Sequence, residues 1–347
     1  MTAHTIQNTT VLLAGPDALA GVERALQGLG QWTRRLHGTA GEVTGLEISP
    51  HSPPVAREVL RAVPGIADVL RPASPHPQVD GQMGGTFEIG RATLGGGLRC
   101  LLAAGPCSVE SEAQIHTAAA MVARAGARLL RGGAFKPRTS PYAFSGQGAP
   151  ALGWMREAAD ANGLGVVTEV LGETDVDAVA RVADLIQIGS RNMQNFALLR
   201  AVGKTGKAVL LKRGMAARIE DWLLAGEHLL SAGAGVVVFC ERGITGFDPL
   251  TRNLLDLGAV ALLKHTLHQP VMVDPSHAVG RRDLIGPLSR AAVAAGADGL
   301  LIEAHPEPAC ARSDGPQALD EAALLDVARS LGLGDSLGQG VAPGGAK

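Results

Sequence analysis

Between Leu98 and Ile302 one pattern recurs eight times: a short apolar run, a loop, and a helical segment. The runs are Leu98 to Ala103, Ala127 to Leu130, Gly165 to Thr168, Leu185 to Ile188, Val209 to Leu211, Val236 to Phe239, Val271 to Val273 and Gly299 to Ile302. Helical stretches follow each run, among them Glu112 to Ala125, Gln194 to Val202 and Arg281 to Ala295. Strands buried on both faces read as continuous apolar runs, and parallel strands require long crossovers between them. Eight such units in roughly 240 residues have the size and count of a (β/α)8 barrel, although pattern alone also admits a doubly wound open sheet.

Ahead of this repeat the order differs. Val11 to Ala14, Trp32 to Leu36, Val43 to Ile48 and Ile66 to Leu70 read as strands, with helices at Asp17 to Leu29 and Pro54 to Ala62. That βαββαβ order predicts a small ferredoxin-like α+β domain, with Pro54 in a first helical turn and Gly30, Gly38 and Gly41 at turns. The proline-rich stretch from Arg71 to Pro77 reads as a stiff linker, and a hairpin at Thr86 to Ile89 and Ala92 to Leu94 leads into the repeat. The expected organisation is residues 1–78 as the small domain with its linker, 79–337 as the barrel, and 338–347 as a Gly/Pro-rich tail.

A barrel of this kind carries its chemistry on the loops after the strand carboxyl ends. Ionisable residues fall there in phase: Cys107 after the first run, Arg131, Lys136 and Arg138 after the second, Glu169 after the third, Arg191 after the fourth, Lys212 after the fifth and Arg242 after the sixth. Asp274 and His277 follow the seventh, Glu303 ends the eighth, and Asp314 lies on the loop beyond. The segment from Arg131 to Ser140 adds a Gly-Gly pair, Thr139 and a stiffening proline to three cations, the makings of an anion cradle. A solvated basic loop is the alternative for that segment alone. Overall charge is only -2, so the cations form a local feature and the chain lacks the positive excess that nucleic acids or anionic membranes attract.

Two chemical subsets emerge. Cys107, His277, Glu303 and Asp314 offer a thiolate, an imidazole and two carboxylates, a mixed set suited to a divalent transition metal such as Mn, Fe, Co or Zn; singly, each also fits an ordinary buried thiol, a satisfied histidine or a solvated acid. Arg131, Lys136, Arg138, Arg191, Lys212 and Arg242 form a cationic set that implies strongly anionic small-molecule ligands. Gly203-Lys204-Thr205 lacks the earlier glycine of a Walker A loop. The four cysteines show no C-x-x-C spacing, no secretory leader opens the sequence, and no apolar stretch is long enough to span a bilayer, so a cytoplasmic protein with reduced thiols is expected.

Taken together, Ala104-Gly-Pro-Cys-Ser-Val-Glu110, Leu130-Arg-Gly-Gly-Ala-Phe-Lys-Pro-Arg-Thr-Ser-Pro-Tyr142, Gln187-Ile-Gly-Ser-Arg-Asn-Met-Gln-Asn195, Leu211-Lys-Arg-Gly214, Cys240-Glu-Arg-Gly243, Val273-Asp-Pro-Ser-His277 and Glu303-Ala-His-Pro-Glu-Pro308 resemble the 3-deoxy-D-arabino-heptulosonate 7-phosphate (DAHP) synthases of type Iβ. The resemblance spans essentially the whole repeat and implies a (β/α)8 barrel. It further implies a metal-dependent condensation of phosphoenolpyruvate with erythrose 4-phosphate, the first step of the shikimate route to aromatic amino acids. It places the metal on Cys107, His277, Glu303 and Asp314. Phosphoenolpyruvate falls to Arg131, Lys136, Arg191, Lys212 and Arg242, and erythrose 4-phosphate to Arg138, Thr139 and Asp274. Glu169 would position a water, and Lys136 would stabilise or protonate the nascent alkoxide.

The alternatives are 3-deoxy-D-manno-octulosonate 8-phosphate synthase, whose loop typically departs from the Lys136-Pro-Arg-Thr139 run, and a non-catalytic phosphosugar sensor, which would be expected to lose metal residues that are all retained here. The family also implies a homotetramer, and a regulatory amino-terminal domain that in some members binds tyrosine or phenylalanine. No polar motif carries over there, Arg34, Arg35 and His37 at the second strand being no more than suggestive, and a domain that merely buries an oligomer interface is the other reading.

Overall fold

The computed structural model describes residues 9–136, 142 and 144–333. The chain forms two compact units, Met1–Gly81 and Gln82–Lys347. Arg138, Thr139 and the tail from Gly338 lie outside the described residues.

The first unit contains β1 (Thr9–Leu13), α1 (Leu19–Gly28), β2 (Thr33–His37), β3 (Val43–Ile48), α2 (Arg57–Arg61), β4 (Ile66–Leu70) and a short α3 (Pro77–Gly81). Its strands make an antiparallel sheet in the order β2-β3-β1-β4. Val11, Leu46, Ile48 and Val69 pack beneath Val22, Leu26 and Leu60 of the helices, as expected when apolar residues alternate along strands and recur every turn on helices. The second helix begins later than the sequence suggests. Ala56 is extended, with ψ 145, so Pro54 lies in the approach to α2 and not in its first turn. The proline-rich stretch runs into α3, where the buried His76 ring lies 3.0 Å from Asp80.

The second unit begins with the hairpin β5 (Thr86–Ile89) and β6 (Ala92–Gly95). Eight parallel strands then close into a barrel: β7 (Leu101–Gly105), β8 (Leu129–Arg131), β9 (Gly165–Val170), β10 (Leu185–Ile188), β11 (Ala208–Lys212), β12 (Val236–Glu241), β13 (Val271–Val273) and β14 (Gly299–Glu303). The intervening helices are α4 (Glu112–Arg124), α5 (Ala149–Ala161), α6 (Val176–Val182), α7 (Phe196–Gly203), α8 (Ile219–Ser231), α9 (Leu257–Ala261), α10 (Pro275–Val279) and α11 (Arg282–Ala294), with α12 (Glu321–Ser330) after the last strand. The barrel, not the open sheet, is therefore the architecture.

Several strand limits differ from expectation, two of them with a bearing on the site. β7 opens only at Leu101, because Gly95, Gly96 and Gly97 all take positive φ and turn the chain, leaving Leu98 55% exposed. β9 runs on to Val170, so Glu169 projects from within a strand and not from the loop after it.

The barrel interior is filled and not hollow. Ile89, Ala92 and Leu94 of the hairpin join Leu101, Leu129, Leu185 and Val236 from the strand starts in one buried cluster, so the hairpin plugs the amino-terminal end. That leaves the carboxyl ends for chemistry. Outside the sheet, Trp222 of α8 is wholly buried, edge-on to Phe239 with centroids 5.3 Å apart, and its indole N–H donates to Leu211 O at 3.0 Å. Trp222→Ala should therefore cost about 3–5 kcal/mol of barrel stability, measured by urea unfolding, since it leaves a large cavity and removes a buried hydrogen bond.

Candidate active site

The strand ends bring four electron-rich atoms together. Asp274 caps α10, its Oδ1 accepting the His277 N–H at 2.9 Å, and its Oδ2 accepts from His277 Nδ1 at 2.7 Å. That second bond places the imidazole proton on Nδ1, so Nε2 presents a lone pair. Nε2 faces Glu303 Oε1 at 3.3 Å and Asp314 Oδ2 at 3.9 Å, and Cys107 Sγ lies 3.1 Å from the same Asp314 oxygen. Burial lowers the His277 pKa, against the pull of Asp274 and Glu303, and so favours the neutral ring. Burial also pushes the Cys107 thiol up to about 11.

Donors that converge in this way repel one another unless a cation lies between them. A divalent ion would also displace the thiol proton that burial otherwise retains. The set fits a metal by charge and by donor type: Cys107, Glu303 and Asp314 converge closely enough that they could hold one, and His277 Nε2 lies near enough to Glu303 and Asp314 to join them. Supporting bonds hold these ligands in place. Glu303 Oε1 accepts from Arg131 at 2.8 Å and Oε2 from Gln317, while Ser313 Oγ lies 2.9 Å from the Cys107 sulfur. Despite burial, His277 and Arg131 hold the Glu303 carboxyl down at about 2. Gly105 permits the approach of the Cys107 turn: its φ is 149, and a Cβ there would come within 2.1 Å of Arg131 O.

Beside this cluster opens a cavity lined by Arg131, Lys136, Arg191, Lys212 and Arg242, with Glu169, His277 and Asp314. These cations differ in what already balances them. Arg131 is paired with Glu303, and Lys212 Nζ lies 2.5 Å from Asp274 Oδ2. Lys136, Arg191 and Arg242 meet no carboxylate within ion-pair distance among the described residues. Lys136 Nζ donates to Cys107 O at 2.8 Å; burial works against its charge, but the Cys107 sulfur and the Glu169 carboxyl nearby outweigh it and raise the pKa, keeping an ammonium there.

Asp274, which the resemblance assigns to erythrose 4-phosphate, is wholly buried and is not among the residues lining the cavity; its Oδ2 accepts from both Lys212 and His277. Burial pushes its carboxyl up, yet His277 and Lys212 hold it well below the usual carboxylate range. Sequence reading also missed two residues. Gln317 supports Glu303, and Arg252 lines the cavity from the loop between β12 and α9, too far beyond the strand end for the phasing argument to reach it.

Residues 78–332 match the model of the DAHP synthetase I family. The chain belongs to that family. A phospho-2-dehydro-3-deoxyheptonate aldolase of Thermotoga maritima is 45% identical over 287 residues, 81% of this chain and 83% of that protein. A crystal structure of the phospho-2-dehydro-3-deoxyheptonate aldolase (DAHP synthase) from Thermotoga maritima matches with a TM-score of 0.72 and 39% identity, covering 94% of this chain and 96% of that one. A 2-dehydro-3-deoxyphosphooctonate aldolase of Syntrophotalea carbinolica is more distant, 32% identical over 253 residues, 67% of this chain and 90% of that protein. No described helix is long and apolar enough to cross a membrane.

Within this DAHP synthetase barrel, Gly189 leaves room for the Glu169 carboxylate, since a Cβ at Gly189 would fall 2.0 Å from Glu169 Oε1. The backbone there, φ -70 and ψ 157, suits any residue. Gly189→Ala should therefore displace Glu169 without unfolding the barrel. The expected outcome is a loss of turnover approaching that of Glu169→Gln, with a melting temperature within a few degrees of the parent, as checked by steady-state kinetics and thermal unfolding.

Proposed function

We propose that this chain condenses phosphoenolpyruvate with D-erythrose 4-phosphate and water to give 3-deoxy-D-arabino-heptulosonate 7-phosphate and inorganic phosphate. The observation that carries the reading is the juxtaposition, at one end of a DAHP synthetase barrel, of a converging sulfur, nitrogen and oxygen donor set with Lys136, Arg191 and Arg242, cations that have no carboxylate within ion-pair distance among the described residues. Phosphoenolpyruvate brings a phosphate of nearly two negative charges and a carboxylate, a match for Lys136, Arg191 and Arg242.

A divalent ion held by Cys107, His277, Glu303 and Asp314 would supply Lewis acidity toward the sugar aldehyde. Arg191, Arg242 and Lys212 hold phosphoenolpyruvate so that its methylene carbon faces that aldehyde, which removes much of the entropic cost of bringing two substrates together. As the carbon-carbon bond forms, the aldehyde oxygen gains an electron pair and takes a proton, for which the Lys136 ammonium is the donor at hand. Water, oriented by Glu169, then adds to the electron-poor enol carbon and gives up a proton to that carboxylate. Collapse of the resulting hemiketal breaks its carbon-oxygen bond to phosphate and leaves the ketone.

Phosphate release on mixing both substrates with the metal-loaded protein tests the proposal. Turnover should vanish with a chelator and return with Mn, Fe, Co or Zn. Cys107→Ala should retain the fold but fall below about 1% of the parent rate with a weakened metal affinity. Arabinose 5-phosphate should not replace erythrose 4-phosphate; faster release with the five-carbon sugar would favour the octulosonate reaction instead.

The first unit supports a regulatory reading. Trp32, 74% exposed, borders a shallow cleft with Arg34 and Glu47, an aromatic face beside an ion pair that suits an aromatic amino acid. Arg35 is already paired with Glu23 and the His37 ring with Gly41 O, so neither is a free ligand group. Tyrosine or phenylalanine should inhibit the intact enzyme, cytoplasmic and tetrameric in this proposal. Rates unaffected by either amino acid at millimolar concentration would remove the regulatory role and leave the unit as an oligomer contact.

A further inference from the structure

The cavity contains a cation that neither the strand-end phasing nor the sequence motifs single out. Arg252 is firmly anchored by its backbone: its N–H donates to Val279 O at 3.0 Å, and the neighbouring Asn253 side chain donates to His277 O at 3.0 Å. A Cβ on Gly280 would come within 2.9 Å of the Arg252 Cβ, so the arginine stem packs directly onto the end of α10. The root of this side chain is thus built into the same helix that presents His277.

Its guanidinium is poorly partnered by comparison. An arginine carries five N–H donors in a planar fork, yet among the described residues its side-chain hydrogen bond is a long one to Gln317 Oε1 at 3.4 Å. Asp314 Oδ1 lies 3.7 Å away, within ion-pair range but beyond a hydrogen bond, and the other oxygen of that carboxylate already faces Cys107 and His277. The side chain remains 42% exposed along the cavity wall.

Arg242 shares that wall. Buried to 5% exposure, it makes a 3.4 Å bond to Gly243 O and has no carboxylate within ion-pair distance among the described residues. Burial lowers its pKa first; the Asp274 carboxylate draws it back up, and the positive charge of Arg252 lowers it. Two guanidinium groups lining one partly desolvated cavity, with no carboxylate hydrogen-bonded to either among the described residues, are arranged for an anion that accepts from both. Tetrahedral phosphate oxygens match the two forks.

We propose that Arg252 is a further substrate-binding residue, closing with Arg242 on a single phosphoryl group from the side of the cavity that carries Asp314. The inference rests on the reaction proposed above. The ligand chemistry is a phosphate monoester, which either substrate can supply, and the measurement below separates the two.

The test uses the full-length, metal-loaded enzyme with Arg252→Gln and Arg252→Lys. The kcat and KM for each substrate, the affinity for inorganic phosphate by calorimetry, and the metal affinity of the stripped protein would be measured for both. Arg252→Gln should weaken phosphate binding and raise the KM of one phosphorylated substrate by about tenfold or more, the worth of a charged hydrogen bond, with a much smaller change in kcat. Arg252→Lys, which keeps the charge but not the fork, should fall between it and the parent. The substrate whose KM rises owns the phosphoryl group. Phosphate affinity and both KM values within about twofold of the parent would overturn the proposal. So would a loss of metal affinity with phosphate binding intact, since that would make Arg252 a support for Asp314. If the parent enzyme fails to turn over erythrose 4-phosphate, the reaction above is wrong, while the phosphate titration still decides Arg252.

Discussion

The site depends on one buried carboxylate. Asp274 accepts from the Lys212 ammonium, the His277 ring and the His277 backbone, with no exposure to solvent. A carboxylate so buried persists as an anion only because these partners outweigh its desolvation. In return it fixes three things at once: the start of α10, the tautomer of His277 and the position of Lys212. Without it the imidazole would be free to turn its proton toward Glu303 and Asp314, and the donor set would lose its nitrogen lone pair.

Around that anchor the charges separate into two groups. Arg131 and Lys212 are tied to Glu303 and Asp274, so their first task is to hold acids in place. Lys136, Arg191 and Arg242 lack such ties among the described residues and face the cavity. One ring of positive residues is thus divided, with its members tied to acids on the donor side and without such ties on the cavity side. The division follows from which cation has an acid within reach, not from residue type. Glu169, with Gly189 leaving space for it, provides an acid on the cavity side close enough to act on Lys136.

Much of this was legible in the sequence, for identifiable reasons. Buried parallel strands leave continuous apolar runs, so the eight barrel strands stand out; β7 was misjudged at its start because Gly95 to Gly97 turn the chain where Leu98 looked strand-like. Phasing after strand ends brought out Cys107, His277, Glu303 and Asp314, which the fold does bring together. Asp274 illustrates what phasing cannot distinguish. A carboxylate next to a strand end can face the cavity or lie behind a ligand, and only the partners reveal which. Arg252 was invisible for the opposite reason, since its loop returns to the site well after leaving the strand, anchored by a backbone bond to Val279 that no local pattern encodes.

The hairpin of β5 and β6 has a consequence for traffic through the enzyme. Because Ile89, Ala92 and Leu94 fill the barrel from its amino-terminal end, the shaft behind the reacting groups is solid hydrocarbon. Whatever enters must leave by the same doorway, so departure of one guest and arrival of the next compete for a single threshold. Dryness at the moment of reaction is then governed by the loops that frame that doorway, while the floor beneath can be neither leak nor exit.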